Sequence, residues 1–259
     1  MRKPGVLVIS HGSRESSWVQ LVDDAVQQLP LRGELPVAAS FLEIVEGRLI
    51  QDGIDDLERQ GVTDILVIPL FVSSGSTHVN EIAYALGVID APAIDTDLEP
   101  FRIRANIVYG EPIDNDPDVA RMVWDKVKTE SKNPGEEVLI LVGHGSSHDG
   151  FRERWEEGLS RLAESARAIG GLAAADYALL RPDSVRAKVE YWQKERGMQV
   201  IAAPLFLSDG YFTRTVIPQR LDGLNYRYSG EALLPHPLLT HWMERQIRSW
   251  LARGADASL

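Results

Sequence analysis

Two imidazoles and one carboxylate, His11, Glu43 and His78, each stand just after a run of apolar residues. His11 follows Val6-Leu-Val-Ile-Ser10, Glu43 closes the run that starts at Val37, and His78 lies shortly after Ile65-Leu-Val-Ile-Pro-Leu-Phe71. Taken singly, each has an ordinary explanation: a His-Gly turn, an exposed strand-end carboxylate, a histidine beside a helix cap. Taken together, two nitrogen donors and one oxygen donor suit a borderline divalent cation such as Fe²⁺, Co²⁺, Ni²⁺ or Zn²⁺. The same groups also accept protons.

The elements around them explain how residues so far apart can meet. Short continuous apolar runs mark strands covered on both faces, as in parallel sheets. After the first run, Trp18, Leu21, Val22, Ala25, Val26 and Leu29 form one helical stripe, which Pro30 ends. Val37 to Glu43 reads as a second strand, residues 46–60 as a helix, and Ile65 to Phe71 as a third strand. A helix begins near His78. A fourth strand spans about Arg104 to Tyr109, and a helix runs from about Pro117 to Lys128. Parallel strands bring their C-terminal ends to one sheet edge, where ligands bind in open α/β folds. All three candidates fall at such ends.

The order then restarts. Val138 to Val142 precedes His144-Gly-Ser-Ser147 as Val6 to Ser10 precedes His11-Gly-Ser-Arg14. Ala203-Pro-Leu-Phe-Leu-Ser-Asp-Gly210 answers Ile68-Pro-Leu-Phe-Val-Ser-Ser-Gly75, and Gly230-Glu answers Gly110-Glu. Three landmarks in one order indicate an internal duplication. The expected fold is α/β, with two tandem, similar, open parallel-sheet domains layered as in flavodoxin or Rossmann folds. The expected domains are residues 1–133, with the metal site, and 134–259, with Ser131 to Glu136 as the linker. The second copy departs from the first. It keeps His144, but Glu43 aligns with Ala178 or Leu179, and His78 with Thr213. One site is therefore expected, with residues 134–259 as a degenerate repeat and the other wall of a cleft. His148, His236 and His241 read as helix-flanking, loop and helix-surface residues.

Composition removes several alternatives. The 259-residue chain has no cysteine, which excludes disulfides, thiolate zinc sites and cysteine-ligated iron–sulfur clusters. A net charge of −11 argues against a nucleic-acid partner. No apolar run approaches the roughly 20 residues of a membrane span, and no leader segment is evident, so a cytoplasmic protein is expected. The dinucleotide-binding and phosphate-loop glycine spacings are absent, as is the Gly-x-Ser-x-Gly elbow. No permanently bound cofactor is expected.

The motifs Ser10-His-Gly-Ser-Arg14, Phe41-Leu-Glu43 and Pro69-Leu-Phe-Val-Ser-Ser-Gly-Ser-Thr-His-Val-Asn-Glu81 resemble those of the sirohydrochlorin chelatases, in the long two-domain form. The resemblance implies the class II chelatase fold and insertion of Co²⁺ or Fe²⁺ into sirohydrochlorin, for cobalamin or siroheme synthesis. It also implies that His11, Glu43 and His78 coordinate the metal and carry the chemistry. Another tetrapyrrole, Ni²⁺, or a non-catalytic metal or tetrapyrrole carrier are the alternative readings. The polyanionic substrate calls for cations and hydrogen-bond donors near the strand ends. Arg14, Arg48, Arg214, Ser13, Ser73 and Ser74 are the candidates, and Leu70 to Val72 with Tyr211 and Phe212 are candidates for an apolar wall. Two fused copies suggest a monomer.

Overall fold

The computed structural model describes residues 2–256. Strands β1 (Pro4–Ser10), β2 (Val37–Phe41), β3 (Asp64–Pro69) and β4 (Asn106–Tyr109) form one parallel sheet in the order β2-β1-β3-β4. Helices α1 (Ser16–Gln27), α2 (Ile50–Arg59) and α3 (Thr77–Ala85) connect them, and α4 (Pro117–Val127) follows. The pattern repeats with β5 (Glu137–Gly145), α5 (Phe151–Gly170), β6 (Ala174–Arg181), α6 (Val185–Lys194), β7 (Gln199–Pro204), α7 (Ile217–Arg220), β8 (Tyr226–Tyr228) and α8 (Pro237–Asp256). The second sheet has the order β6-β5-β7-β8, again all parallel. The duplicated α/β fold expected from the repeats is the fold observed.

The central strands are buried along their whole apolar runs. Val6 to Ile9, Ile65, Val67 and Ile68 are fully buried in the first sheet, as are Val138 to Val142 in the second. A strand covered on both faces cannot alternate apolar and polar residues, which is why these runs were continuous. Helix α2 starts later than the periodicity suggested, because residues 42–49 form a hydrogen-bonded loop instead.

The compact units differ from the two sequence copies at their last helices. One unit gathers the chain up to Phe71, Thr77–Pro112 and the chain from Pro237; the other gathers Val72–Ser76 and Ile113–His236. Helix α8, at the end of the second copy, thus packs with the first sheet. Thr240 Oγ1 donates to the Ala25 carbonyl at 3.2 Å. The Gln246 side chain accepts from Glu111 N at 2.9 Å and donates to Glu111 O at 3.1 Å. The Arg2 guanidinium lies 4.9 Å from the centre of the Trp250 ring. Helix α4 packs instead on α5, where a Cβ on Gly170 would lie 2.3 Å from the Trp124 ring. The boundary expected at residue 133 follows the repeat. The packing follows apolar helix faces, which do not respect sequence order.

Glu137, at the start of β5, is fully buried. Its carboxylate accepts from Lys132 N, Asn133 N, Ser131 Oγ and Arg227 Nη2 at 2.6–2.8 Å. Burial pushes this carboxyl up, but the four donors outweigh it and hold it down to about 2, from an ordinary value of 4.5. That difference corresponds to about 3 kcal/mol of stability. A depressed carboxyl contributes fully above its unfolded value and loses that contribution as pH falls through the folded value. Glu137→Gln should therefore lower the melting temperature at pH 7, and the gap to the native chain should narrow between about pH 5 and pH 2. Thermal melts of both proteins across that range check it; a gap independent of pH would rule out this origin.

Candidate active site

The first sheet places its strand ends level. Ser10 pairs with Phe41 and Ile9 with Pro69. The ladder continues past β2, with Leu42 N donating to Ser10 O at 2.9 Å and Glu43 N to His11 O at 3.1 Å. Glu43 is thereby fixed opposite His11. Gly12 lies between them at φ +103°, where a Cβ would sit 2.2 Å from the Glu43 carbonyl oxygen. Only glycine allows this approach at this backbone angle. His78 arrives on the second residue of α3.

His11 lies beside each of the other two side chains. His11 Nε2 lies 3.6 Å from Glu43 Oε1. Two ligand atoms on one tetrahedral ion at about 2.1 Å stand roughly 3.4 Å apart, so this pair is spaced for a shared cation. The His11 and His78 rings meet edge to face with centroids 4.8 Å apart. As placed, no group of three His, Asp or Glu side chains among the described residues is close enough to hold a metal ion.

Both imidazoles are oriented through Nδ1. His11 Nδ1 lies 3.2 Å from the Gly12 carbonyl, which can only accept, so Nδ1 is the N–H and Nε2 carries the lone pair of the neutral ring. His78 Nδ1 bonds Glu81 Oε1, and Glu81 Oε2 accepts from Thr96 Oγ1 at 2.8 Å. Burial raises the Glu81 carboxyl, but hydrogen bonds from His78 and Thr96 and the charges of His78 and His11 bring it below its ordinary value. An ionised Glu81 accepts from His78 Nδ1–H and leaves Nε2 open. A carboxylate behind a ligating histidine is the usual means of fixing ring and tautomer. From sequence, Glu81 entered only as the last residue of the motif from Pro69, with no role assigned to it, and Thr96 was not singled out. The His78-x-x-Glu81 spacing, one helical turn, was a signal available for Glu81; Thr96 had none.

The other candidates are placed less uniformly. Arg14 is exposed, and Ser13 Oγ accepts from Glu15 N at 3.1 Å. Arg48 engages both Asp23 carboxylate oxygens at 2.6 and 2.8 Å and the Ala39 carbonyl at 3.2 Å. Its fork braces the 42–49 loop against α1. Ser73 Oγ accepts from Gly75 N, and Ser74 donates through N and Oγ to Asp114 Oδ1. Arg214 is exposed within the π-helical stretch Phe212–Val216. Leu70 and Phe71 are buried core rather than an exposed wall. His236 pairs with Asp125 at 3.5 Å.

The second copy corrects the alignment. Gly143, before His144, pairs with Leu179 as Ser10 pairs with Phe41. Two residues on, the counterpart of Glu43 is Arg181, not Ala178 or Leu179. The glycines agree: a Cβ on Gly145 would lie 2.1 Å from the Arg181 carbonyl oxygen. The His144 ring meets Phe212 at 5.2 Å, edge to face, as His11 meets His78. Phe212 stacks on Phe206, while Thr213 is buried with its hydroxyl on Gly210. The π-helical turn shifts the register by one residue, so Phe212 rather than Thr213 occupies the place of His78. An arginine and a phenylalanine in place of the two candidate ligands make that edge unsuited to a cation.

Comparison with known proteins agrees with the duplication. A family model described as CbiX matches residues 5–130 and again residues 138–250. The sirohydrochlorin cobaltochelatase of Methanopyrus kandleri is 28% identical over 137 residues, covering 48% of this chain and 94% of the relative. The sirohydrochlorin ferrochelatase of Priestia megaterium is 21% identical over 253 residues, covering 95% and 90%. Among solved structures, SirB from Bacillus subtilis with Fe³⁺ superposes with a TM-score of 0.72 at 22% identity, covering 95% of this chain and 94% of that one. CbiX, the terminal enzyme of siroheme biosynthesis in denitrifying bacteria, does so with a TM-score of 0.65 at 16% identity, covering 96% and 99%.

Proposed function

This chain belongs to the CbiX family, and we propose that it binds Co²⁺ or Fe²⁺ through His11, Glu43 and His78 and inserts it into sirohydrochlorin. The observation that supports the reading is that His11 lies beside both Glu43 and His78 at one parallel-strand edge, with both imidazoles turned so that Nδ1 is the bonded nitrogen. The metal is a substrate here, so the site must release it. Three protein donors with half-exposed side chains can hold an ion and give it up.

Insertion removes two pyrrole N–H protons as the metal sheds its water. In this reading the ion passes from the protein donors to the macrocycle nitrogens, and the freed imidazoles and Glu43 accept those protons. Glu81 keeps a negative charge behind His78, which favours a metal cation at the opposite ring nitrogen. Sirohydrochlorin is a polycarboxylate, and Arg14 offers an exposed cation on the unit that carries the three candidate ligands. Arg48 is a weaker candidate, because Asp23 already holds both of its terminal nitrogens.

The family names support cobalt and iron equally, and the reading extends to either cobalamin or siroheme synthesis. We place the protein in the cytoplasm as a monomer without a nucleic-acid partner, on its lack of cysteine, its charge of −11 and its two fused copies. No helix among the described residues is long and apolar enough to cross a membrane. The test is to mix the protein with sirohydrochlorin and Co²⁺, Fe²⁺ or Ni²⁺ separately and follow the absorbance of metallation. Catalysis well above the protein-free rate is expected with Co²⁺ or Fe²⁺. A rate equal to that control sinks the reading, and stoichiometric binding without turnover indicates a carrier.

A further inference from the structure

Ile44, the residue after Glu43, has φ +74°. Val45 N donates to Glu43 O at 2.9 Å, which closes a three-residue turn centred on Ile44. Positive-φ turns of this kind are rare and strained, and a β-branched residue in one is a genuine outlier. Glycine would adopt the turn freely. The surroundings hold the strain in place. Arg48 N donates to Val45 O at 3.2 Å, Phe41 N donates to Arg48 O at 2.9 Å, and the Arg48 fork grips Asp23. The isoleucine does not repay its conformation by burial, since 45% of it is exposed.

The second copy shows that the fold does not require this conformation. There the position after Arg181 is Pro182, whose ring excludes a positive φ. The copy that replaces Glu43 and His78 has also replaced the strained residue. Strain that persists without a folding reason, beside a candidate ligand, points to function.

We propose that Ile44 is a substrate-contact residue, held in the strained turn so that its exposed apolar side chain meets the flat face of the tetrapyrrole beside the metal ligands. This rests on the chelatase reading above. The test compares Ile44→Gly and Ile44→Asn, both of which tolerate positive φ, with Ile44→Val. Each is titrated with metal-free sirohydrochlorin and, separately, with Co²⁺ alone. Ile44→Gly and Ile44→Asn should melt no lower than the native chain and bind Co²⁺ within about twofold of it, yet bind sirohydrochlorin about tenfold more weakly. Ile44→Val should recover most of that loss. Unchanged sirohydrochlorin affinity in Ile44→Gly overturns the proposal. So does an equal loss of Co²⁺ affinity, which would mean that Ile44 acts through Glu43. If the native chain binds sirohydrochlorin without turnover, only the chelatase reading falls, and the affinity ratio still decides the role of Ile44. If it binds no sirohydrochlorin, both fall.

Discussion

His78→Ala should lower the rate of sirohydrochlorin metallation by about 100-fold or more. It removes one of the three proposed donors and a proton acceptor together. The remaining pair, His11 Nε2 and Glu43 Oε1 at 3.6 Å, makes a weak two-point site for a divalent ion. The fold should survive, because His78 is only partly buried and sits in the first turn of α3. Glu81→Gln provides a graded comparison. It keeps the shape and removes the charge behind the ring, so a loss of about 10- to 100-fold in metal affinity or rate is expected. Steady-state metallation rates with Co²⁺, alongside circular dichroism of each variant, check both. If His78→Ala and His11→Ala both kept the native rate, the site assignment would fail even with the chelatase activity intact.

Removing helix α8, by ending the chain before Pro237, should unfold the unit that carries the site. This follows from the helix exchange. Leu239, Trp242, Met243, Ile247 and Trp250 of α8 are nearly or fully buried. At about 1.5–3 kcal/mol each, their loss together costs about 10 kcal/mol, which matches the whole stability of a typical domain. A single large-to-small change is the milder arm: Trp250→Ala should cost about 3–5 kcal/mol. The truncated chain should be insoluble or should lose the cooperative melt of the first unit, and with it all metallation activity. A truncated protein that melts within a few degrees of the full chain would show that α8 is dispensable to the first sheet. The repeat boundary at residue 133 predicts that outcome; the packing predicts the opposite.

The sequence by itself determined the duplication, the parallel α/β class and the three residues at the strand ends. These features are local. Continuous apolar runs report strands covered on both faces, helical stripes report the covering helices, and residue type reports donor chemistry. His11, Glu43 and His78 could be found because parallel topology sends every strand end to the same edge. Register and partnership were decided by the tertiary structure. A one-residue gap left the counterpart of Glu43 at Ala178 or Leu179, and only the pairing of Gly143 with Leu179 put Arg181 there. The π-helical turn moved Phe212 into the place that spacing gave to Thr213. The Glu81–Thr96 relay and the Arg48–Asp23 brace join residues whose spacing carries no common period. The exchange of α4 and α8 is of the same kind. An amphipathic helix encodes that it must cover an apolar face, but not whose face it covers, and that choice is made by the fit of Thr240, Gln246 and Trp250 to the first unit. The three candidate ligands were therefore legible at once. Their orientation through Nδ1 became visible only when Gly12, Glu81 and Thr96 were seen beside them.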